Sequence, residues 1–268
     1  MGLPPPSAES TALVTGASAG IGEAIARELA SRGHGVTLVA RREERLRGLA
    51  KELSAEHGVR AEVVAADLSE ARDRDKLEKA VNKAGLTVEI LVNNAGFGDF
   101  GFFAKSDRDR QVEMVRLNVE AVVDLSARYL GGMVDRGRGA VINTASTSAF
   151  QPLPTAATYS SSKAFVLAHS EALHTELRGT GVTVTAVCPG PVRTEFTEAA
   201  NIGEVEESTP GMFWMSAEDV AKEAVSAADK GKRSVVPGRL NQAGAMAGRH
   251  SPRTLLLPTL RRFSRWSR

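Results

Sequence analysis

The sequence predicts an α/β fold in a single domain, with helices on both faces of a doubly wound, mostly parallel sheet. Short apolar runs rich in β-branched residues alternate with longer helix-like stretches, an order typical of βαβ units. Runs such as AVIN and VTVTAV are almost entirely apolar or β-branched, which indicates strands buried on both sides. Because crossovers between parallel strands are right-handed, such units wind into one open sheet.

Seven runs are predicted strands, and six stretches between them are predicted helices. The strands are 11–15, 35–40, 61–66, 89–92, 139–143, 182–187 and 234–236. The helices are 20–32, 43–57, 70–84, 107–135, 157–179 and 217–230. The apolar residues of segment 195–216 follow neither a helical nor a strand period, which is typical of a binding loop or lid. We divide the chain into an N-terminal extension (1–10), a folded domain with this lid (11–237) and a C-terminal extension (238–268).

The composition narrows the class of protein. The chain has 268 residues, 42% of them hydrophobic, which is enough for one sizeable core. The single cysteine, Cys188, excludes an intramolecular disulfide and a cysteine-rich zinc site. The five histidines show no metal-ligand spacing, so we expect no metal. The sequence shows no signal-peptide pattern and no apolar run of membrane length, which favours a cytoplasmic protein.

The net charge of +2 hides an asymmetry along the chain. From Lys230 to Arg268 there are ten Lys or Arg and no Asp or Glu, mixed near the end with leucines, Phe and Trp. Such a segment suits a packing or oligomer contact, which we favour, or an anionic membrane surface. Pro252 and Pro258 are expected to interrupt a long amphipathic helix, which weakens the membrane alternative. We expect no nucleic-acid partner.

A glycine-rich turn follows the first predicted strand. TGASAGIG, residues 15–22, places Gly16, Gly20 and Gly22 just before the first helix. Glycine permits a tight turn and close backbone approach, and a helix N-terminus offers free N–H groups to a pyrophosphate. Ordinary turns also collect glycine, so the placement between strand and helix carries the prediction of a dinucleotide site.

The residues after the second and third strands bear on which nucleotide binds. An NAD site usually has Asp or Glu after the second strand, whereas Arg41 and Arg42 stand here, which favours NADP(H). The same arginines also begin a charged helix, and both roles are compatible. Asp67, after the third strand, is a candidate acceptor for an adenine amino group or a helix cap.

Tyr159 and Lys163 lie four residues apart in TYSSSKAF, on one face of a predicted helix. A free tyrosine has a pKa of about 10 and is a poor acid–base catalyst at neutral pH. A nearby ammonium is expected to lower that pKa toward the working pH. Such a pair also arises by chance on helix surfaces.

The motifs TGxxxGIG, NNAG (93–96), YxxxK and PG (189–190), with Ser146, occur in one order and with matching intervals. Together, over residues 10–235, they resemble the short-chain dehydrogenase/reductase family. The resemblance implies a Rossmann-type sheet of about seven strands, a nicotinamide cofactor, a small-molecule carbonyl or alcohol substrate, and a homo-dimer or homo-tetramer.

The resemblance also implies roles for four residues. Tyr159 would exchange a proton with the substrate oxygen, and Lys163 would hold the nicotinamide ribose and favour the phenolate. Ser146 would hydrogen-bond the substrate oxygen; Thr147 and Ser148 compete for that role, but their intervals fit less well. Asn118 would complete a proton relay, or is only a polar kink in a helix.

Further positions match the family's cofactor contacts. The matching residues are Gly16, Ser18, Gly20, Ile21 and Gly22 in the turn, Asp67 and Asn94 on the adenine side, and Pro189, Gly190, Val192 and Thr194 beside the nicotinamide. Asn93 matches an asparagine that steadies the central strands, or is simply a turn residue.

Two alternatives stay open: a dinucleotide-binding regulator without catalysis, and a same-fold epimerase or dehydratase. Loss of the tyrosine or the lysine would favour the first, and neither is lost. The second group is typically longer, with a different glycine spacing. The sequence does not name the substrate, but we expect an apolar one, because small-molecule pockets are commonly lined by apolar residues. The candidate lining residues, half of which would only pack the lid, are Phe97, Phe100, Phe102, Phe150, Leu153, Phe196, Phe213 and Trp214.

Overall fold

Seven parallel strands form one open sheet in the computed structural model, which describes residues 2–199 and 210–263. The strands are β1 (Ser10–Thr15), β2 (Val36–Ala40), β3 (Ala61–Ala65), β4 (Thr87–Asn93), β5 (Gly139–Thr144), β6 (Val182–Val187) and β7 (Ser234–Val235). They lie in the order β3-β2-β1-β4-β5-β6-β7, and the six pairings between neighbouring strands are parallel. The order reverses between β1 and β4, which is where open α/β sheets bind ligands.

Helices connect the strands and cover both faces of the sheet. They are α1 (Gly20–Ser31), α2 (Glu43–His57), α3 (Ala71–Lys83), α4 (Arg108–Val115), α5 (Ala121–Asp135), α6 (Ala157–Glu176), α7 (Phe196–Ala199), α8 (Ala217–Asp229), α9 (Arg239–His250) and α10 (Arg253–Phe263). Along β1, Ala12 and Val14 face the core under α1, α2 and α8, whereas Leu13 faces the core under α3 and α5. The predicted doubly wound α/β fold is therefore confirmed.

The predicted 107–135 helix contains a feature that its periodicity does not show. A single π-helical turn, Arg116–Glu120, joins α4 to α5. One extra residue in a helical turn shifts the side chains that follow, and such turns often occur at functional sites. The buried Asn118 lies inside this turn.

The C-terminal extension packs against the domain through one face of α9. Its buried residues are Asn241, Ala245 and Gly248, and a Cβ on Gly248 would lie 2.5 Å from the Gln151 side chain. The next helix, α10, is tied back by Arg253, whose guanidinium donates to the carbonyl oxygens of Gly248 and Phe150.

The proline prediction for this extension is half correct. The chain breaks at Ser251 and Pro252, as expected, but Pro258 lies inside α10. We attribute this to exposure: water reaches the carbonyl that the missing N–H leaves free. Residues 264–268, part of the predicted basic tail, lie outside the described residues. Within the described ranges, no helix has both the length and the apolar character needed to cross a membrane.

A chain truncated after Val236 is expected to melt about 5 °C or more below the full chain. The truncation removes the buried face of α9, and about 1 kcal/mol corresponds to about 2–4 °C for a domain of this size. Differential scanning fluorimetry measures this shift, and light scattering reports whether the oligomer mass changes too. The control ends at Ser251, keeps α9 and should melt within about 2 °C of the full chain. Equal melting temperatures for both truncations and the full chain would show that α9 adds no stability.

Candidate functional site

Four turns meet at the carboxyl edge of the sheet, after β1, β4, β5 and β6. Thr15, the last residue of β1, joins two of them: its Oγ1 accepts from the backbone N–H groups of Asn94 (2.9 Å) and Ala95 (3.0 Å). The same hydroxyl donates to the carbonyl oxygen of Val92 (3.0 Å). The glycine turn after β1 therefore has a fixed position relative to the turn after β4.

The glycine turn has the geometry that a dinucleotide phosphate requires. Gly16 and Gly20 have φ values of +67° and +60°, in the left-handed region that favours glycine. A Cβ on Gly22 would lie 2.4 Å from the Gly16 carbonyl oxygen. Helix α1 begins at Gly20, so its free N–H groups lie at the turn. Ile21 is partly buried against the core and anchors this end of α1.

Arg42 is bound to the glycine turn, whereas Arg41 is not. The Nε and Nη2 atoms of Arg42 donate to the Ser18 hydroxyl (3.1 and 3.0 Å). The Arg42 Nη1 donates to a carboxylate oxygen of Glu195 (2.6 Å). Arg41 is largely exposed and lies 3.8 Å from the carboxylates of Asp67 and Glu113. Of the two guanidiniums, that of Arg42 therefore lies at the glycine turn, where an anionic group on a bound nucleotide could reach it.

The acidic and amide residues after β3 and β4 are engaged with the protein itself. One Asp67 oxygen accepts from the backbone N–H and hydroxyl of Ser69 (3.0 and 2.7 Å), as a cap would. Asn94 donates to the Thr15 carbonyl (3.1 Å) and accepts from the Thr144 hydroxyl (3.3 Å). The adenine-side roles predicted for Asp67 and Asn94 stay predictions.

Asn93 crosses the centre of the sheet. Its amide donates to Asn143 on β5 (2.9 Å) and to Ser126 on α5 (3.3 Å). Asn143 in turn donates to Ser170 on α6 (2.9 Å). This buried chain of side-chain contacts fixes β4, β5 and two helices relative to one another, in agreement with the steadying role inferred for Asn93.

The segment after β6 lies opposite the glycine turn. The Pro189 carbonyl accepts from the backbone of Thr147 (2.8 Å), and Val192 forms an isolated parallel bridge with Met215. Gly190 is covered by Asn241, because a Cβ there would lie 2.4 Å from the Asn241 side chain.

Thr194 contacts the glycine turn directly. A Cβ on Gly20 would lie 2.9 Å from the Thr194 Cγ2. Thr194 and the glycine turn therefore line one cleft together. Gly190 lies against Asn241, and Val192 is buried beside Met215. The nicotinamide-side roles of Pro189, Gly190, Val192 and Thr194 stay predictions.

The predicted proton-transfer residues come together behind this cleft. Tyr159 and Lys163, both on α6, are only 8% and 5% exposed, and Ser146 at the end of β5 is 8% exposed. The Ser146 hydroxyl donates to the Ser148 hydroxyl (3.1 Å), and it is near enough to the Tyr159 phenol to lower the pKa of Tyr159 in part. Ser146 also caps the short 3-10 turn at 147–150, since its Oγ accepts from the Ser148 N–H (3.1 Å). This cap fixes the Ser146 side chain at the start of that turn.

Lys163 and Asn118 bracket the turn that follows β4. The Lys163 ammonium donates to the carbonyl oxygen of Thr144 (2.8 Å). Asn118 donates to the Phe97 carbonyl (3.0 Å) and to the Ser162 hydroxyl (3.1 Å), and accepts from the Phe97 N–H (3.2 Å). A Cβ on Gly96 would lie 2.8 Å from the Asn118 Oδ1 and 3.4 Å from the Lys163 Nζ, so the two side chains flank one glycine.

The pKa values in this cluster follow burial, which corrects one prediction. Burial raises the pKa of Tyr159 to about 12, and the Ser146 hydrogen bond only partly opposes this. Burial also lowers the pKa of Lys163 to about 8. The expectation that the lysine lowers the tyrosine pKa is wrong for the chain without a ligand. The reason is that burial penalises the charged phenolate, and only the Ser146 hydroxyl opposes this effect.

Apolar side chains surround the Tyr159 ring. The rings of Phe100 and Phe196 lie 5.5 and 5.7 Å from it, and Phe97 and Leu153 belong to the same cluster. Other predicted lining residues lie elsewhere. Phe150 packs against a separate cluster, Phe102 is 62% exposed, and Trp214 lines a groove beside α1. Phe213 lies in a half-exposed turn. The aromatic residues around Tyr159 therefore come from the turn after β4 and the segment after β6.

Several residues of the site were not predicted from the sequence. Thr144 acts through its backbone carbonyl, which leaves no signal in residue type. Ser162 lies one turn after Tyr159 and looks like any helical serine. Glu195 and Asn241 make their contacts across 153 and 28 residues of sequence. For Glu195, the available signal in the sequence is an acidic residue directly after Thr194.

Comparisons with known proteins agree with this geometry. Residues 10–204 match the family model described as short chain dehydrogenase. The very-long-chain 3-oxoacyl-CoA reductase of Anas platyrhynchos is 35% identical over 72% of the chain, which spans 63% of that protein's length. The putative ketoacyl reductase 1 of the granaticin polyketide synthase of Streptomyces violaceoruber is 40% identical over 81% of this chain and 78% of that one.

A solved structure agrees over nearly the whole chain. The short-chain dehydrogenase from Sphingobium yanoikuyae in complex with NADPH superposes with a TM-score of 0.79 at 32% identity, covering 97% of this chain and 98% of that one. The family match covers well over half of the chain, and the superposition shows the same fold. The chain belongs to the short-chain dehydrogenase family of oxidoreductases.

Proposed function

We propose that the chain is an NADP(H)-dependent oxidoreductase that interconverts a carbonyl and an alcohol, with Tyr159 as the general acid and base. One observation carries this proposal: Tyr159, Ser146 and Lys163 are buried together behind the cleft of the glycine turn. This burial supports a mechanism in which the hydroxyls of Tyr159 and Ser146 meet a substrate oxygen.

Each residue of the cluster has one task in this mechanism. The bound nicotinamide supplies or accepts the hydride. Tyr159 gives its proton to the carbonyl oxygen during reduction, and its raised pKa keeps that proton in place at neutral pH. Ser146 donates a second hydrogen bond to the same oxygen and stabilises the charge that develops there. In the oxidation direction, Tyr159 takes the proton back.

Lys163 and Asn118 act next to this step. Lys163, protonated below about pH 8, supplies positive charge beside the ring, with Nζ 5.9 Å from the ring centroid. Its ammonium has donor capacity left for a ribose hydroxyl, because the contact to Thr144 uses one of three protons. Asn118 holds the Phe97 backbone on both sides and thereby fixes the turn next to Lys163. Both roles, including the proton relay through Asn118, are part of the proposal.

The cofactor assignment rests on the two arginines after β2. Arg42 meets the glycine turn at Ser18, where the 2′-phosphate of NADP(H) would lie, and Arg41 stands exposed beside it. The relative from Sphingobium yanoikuyae binds NADPH. Asp67 and Asn94 are proposed on the adenine side, and the 189–194 segment beside the nicotinamide.

The unmodified chain is expected to show at least about tenfold higher kcat/KM with NADPH than with NADH, since one charged contact contributes about 1.4 kcal/mol or more. Arg42→Ala should remove most of this preference by raising the KM for NADPH alone, and Arg41→Asp should narrow or reverse it. Steady-state kinetics with both cofactors measure these changes. Arg47→Ala, on the exposed face of α2, is the control. Equal use of both cofactors by the unmodified chain would contradict the assignment.

The substrate is proposed to be an apolar carbonyl compound. The Phe97, Phe100, Leu153 and Phe196 side chains around Tyr159 favour apolar groups next to the reacting oxygen. The relatives named above include an acyl-CoA reductase and a ketoacyl reductase, which act on carbonyls with long or extended chains by their names. The test is NADPH consumption, followed by absorbance, with a panel of short polar and longer apolar ketones. Faster turnover of the polar members would contradict the substrate class.

The domain division is also proposed. Residues 11–237 form the cofactor-binding catalytic unit, and 195–216 form a substrate lid, of which 200–209 lie outside the described residues. We propose a homo-dimer or homo-tetramer, with the basic extension contributing packing. Peripheral contact with an anionic membrane is the minor alternative. If the chain were a regulator without catalysis, NADPH would bind and no carbonyl would consume it.

A further inference from the structure

The acidic residue after Thr194 lies at the proposed 2′-phosphate position. The two carboxylate oxygens of Glu195 are held by two different guanidiniums, one by the Arg42 Nη1 (2.6 Å) and the other by the Arg45 Nη1 (2.5 Å). The two arginines belong to the start of α2, and Glu195 is about 150 residues away in sequence. This ion triplet joins the segment after β6 to the helix after β2, across the mouth of the glycine turn.

The Arg42 side chain keeps its place independently of Glu195. Its Nε and Nη2 atoms are bound to Ser18 in the glycine turn, which leaves only Nη1 for the carboxylate. Thr194 packs on Gly20 of the same turn, so the backbone that carries Glu195 is also held there. The carboxylate is thus an exchangeable ligand on a fixed cationic site.

The charges indicate whether the Glu195 carboxylate or a phosphate group binds more strongly to Arg42 and Arg45. The Arg42 and Arg45 guanidiniums lower the pKa of Glu195 to about 2, so it carries a full negative charge at neutral pH. Its side chain is 48% exposed, and exposed ion pairs are weak and readily replaced. A phosphate monoester carries a charge of about −1.5 to −2 and three acceptor oxygens. Such a group outcompetes one carboxylate for two guanidiniums, but it must first displace it.

We propose that Glu195 is an internal counter-ion that occupies the place of the 2′-phosphate at Arg42 and Arg45, and so weakens and tunes the preference of the chain for NADP(H) over NAD(H). This inference rests on the proposed cofactor assignment. It adds Arg45 to the phosphate site and makes Glu195 a specificity-determining residue. Displacement of Glu195 costs affinity only for a ligand that bears the phosphate.

The test is calorimetric binding of 2′,5′-ADP, which carries the 2′-phosphate, and of 5′-ADP, which lacks it. Glu195→Gln keeps the size of the side chain and removes its charge. It should tighten 2′,5′-ADP binding about fivefold or more, the range that loss of two exposed ion pairs implies, and change 5′-ADP binding less than about twofold. Arg45→Met should weaken 2′,5′-ADP binding in the Glu195→Gln background, where no carboxylate competes.

A matched control removes the same charge from the same groove. Glu218 lines a groove of about 500 Å³ together with Arg45 and Glu195, and within the described residues it forms no ion pair. Glu218→Gln should leave both affinities within about twofold of the unmodified chain, because water and salt screen its charge from the bound phosphate. Melting temperatures confirm that each variant is folded.

Three results would overturn the inference. The first is an unchanged or weaker affinity of Glu195→Gln for 2′,5′-ADP, which would show that Glu195 holds the arginines in place. The second is an equal gain for both nucleotides, or the same effect as Glu218→Gln, which would show that the loss of any negative charge in the groove suffices. If the unmodified chain binds 2′,5′-ADP no better than 5′-ADP, the cofactor assignment itself fails, and this result is distinguishable because it appears before any substitution is made.

Discussion

Tyr159→Phe is expected to lower kcat for carbonyl reduction by about 10²–10⁴-fold, the usual contribution of general acid–base catalysis. The substitution removes one hydroxyl from a ring packed between Phe100 and Phe196, so the shape of the cluster is retained. Binding of NADPH, measured by fluorescence titration, should stay within about threefold of the unmodified chain, because the ring and Lys163 remain in place.

The chain supplies its own control for this substitution. Tyr129 on α5 has a buried hydroxyl with no hydrogen-bond partner among the described residues, and it lies in the core away from the cleft. Tyr129→Phe should leave turnover unchanged. If Tyr159→Phe retained most of its turnover, the proton would have to come from another group, and Tyr159 would not be the general acid.

Lys163→Ala is expected to lower turnover by about 10²-fold or more and to weaken NADPH binding about tenfold, because one ammonium carries two tasks. Its positive charge lies beside Tyr159, and the contact to Thr144 leaves two of its three protons for the proposed ribose contact. Lys163→Met, which fills more of the space, should show the same double loss. If Met restored binding and turnover, the effect of Ala would come from the cavity and not from the charge.

The pH profile tests the same residue. Reduction needs a protonated Tyr159, whose pKa of about 12 keeps it protonated through the working range, and a charged Lys163, whose pKa is about 8. The kcat/KM for NADPH, which reports ionisations of the free enzyme, should therefore fall as the pH rises through about 8. In Lys163→Met the profile should be low and flat across that pH. A fall at the same pH in the variant would assign the ionisation to another group.

The sheet was predictable because its signal is local. Each β-branched run, such as VTVTAV, predicts a buried strand from its own residues. The alternation of such runs with helices predicts the parallel topology. The glycine turn and the Tyr159–Lys163 pair were predictable because short motifs place them on one turn and one helix. The motif order also singled out Ser146, which lies outside the helix of Tyr159, and Asn118, which lies in a separate helical turn.

The missing features depend on tertiary contacts. The π turn around Asn118 adds one residue to a helix whose apolar pattern still fits an ordinary period. The pKa of Tyr159 depends on how completely the fold buries it, which its sequence neighbours do not encode. The Arg42–Glu195 contact joins residues 153 positions apart, and Pro258 is tolerated because its helix is exposed. None of these leaves a pattern within a window of ten or twenty residues.

The most direct test of the central claim follows the transferred hydrogen. The purified chain is incubated with an apolar ketone and NADPH carrying deuterium at C4 of the nicotinamide, prepared separately in its two stereoisomers, and the alcohol is analysed by mass spectrometry. The account predicts one deuterium on the new carbinol carbon from one of the two stereoisomers, and almost no product from Tyr159→Phe. An unlabelled alcohol, or bound NADPH that no carbonyl consumes, would contradict it.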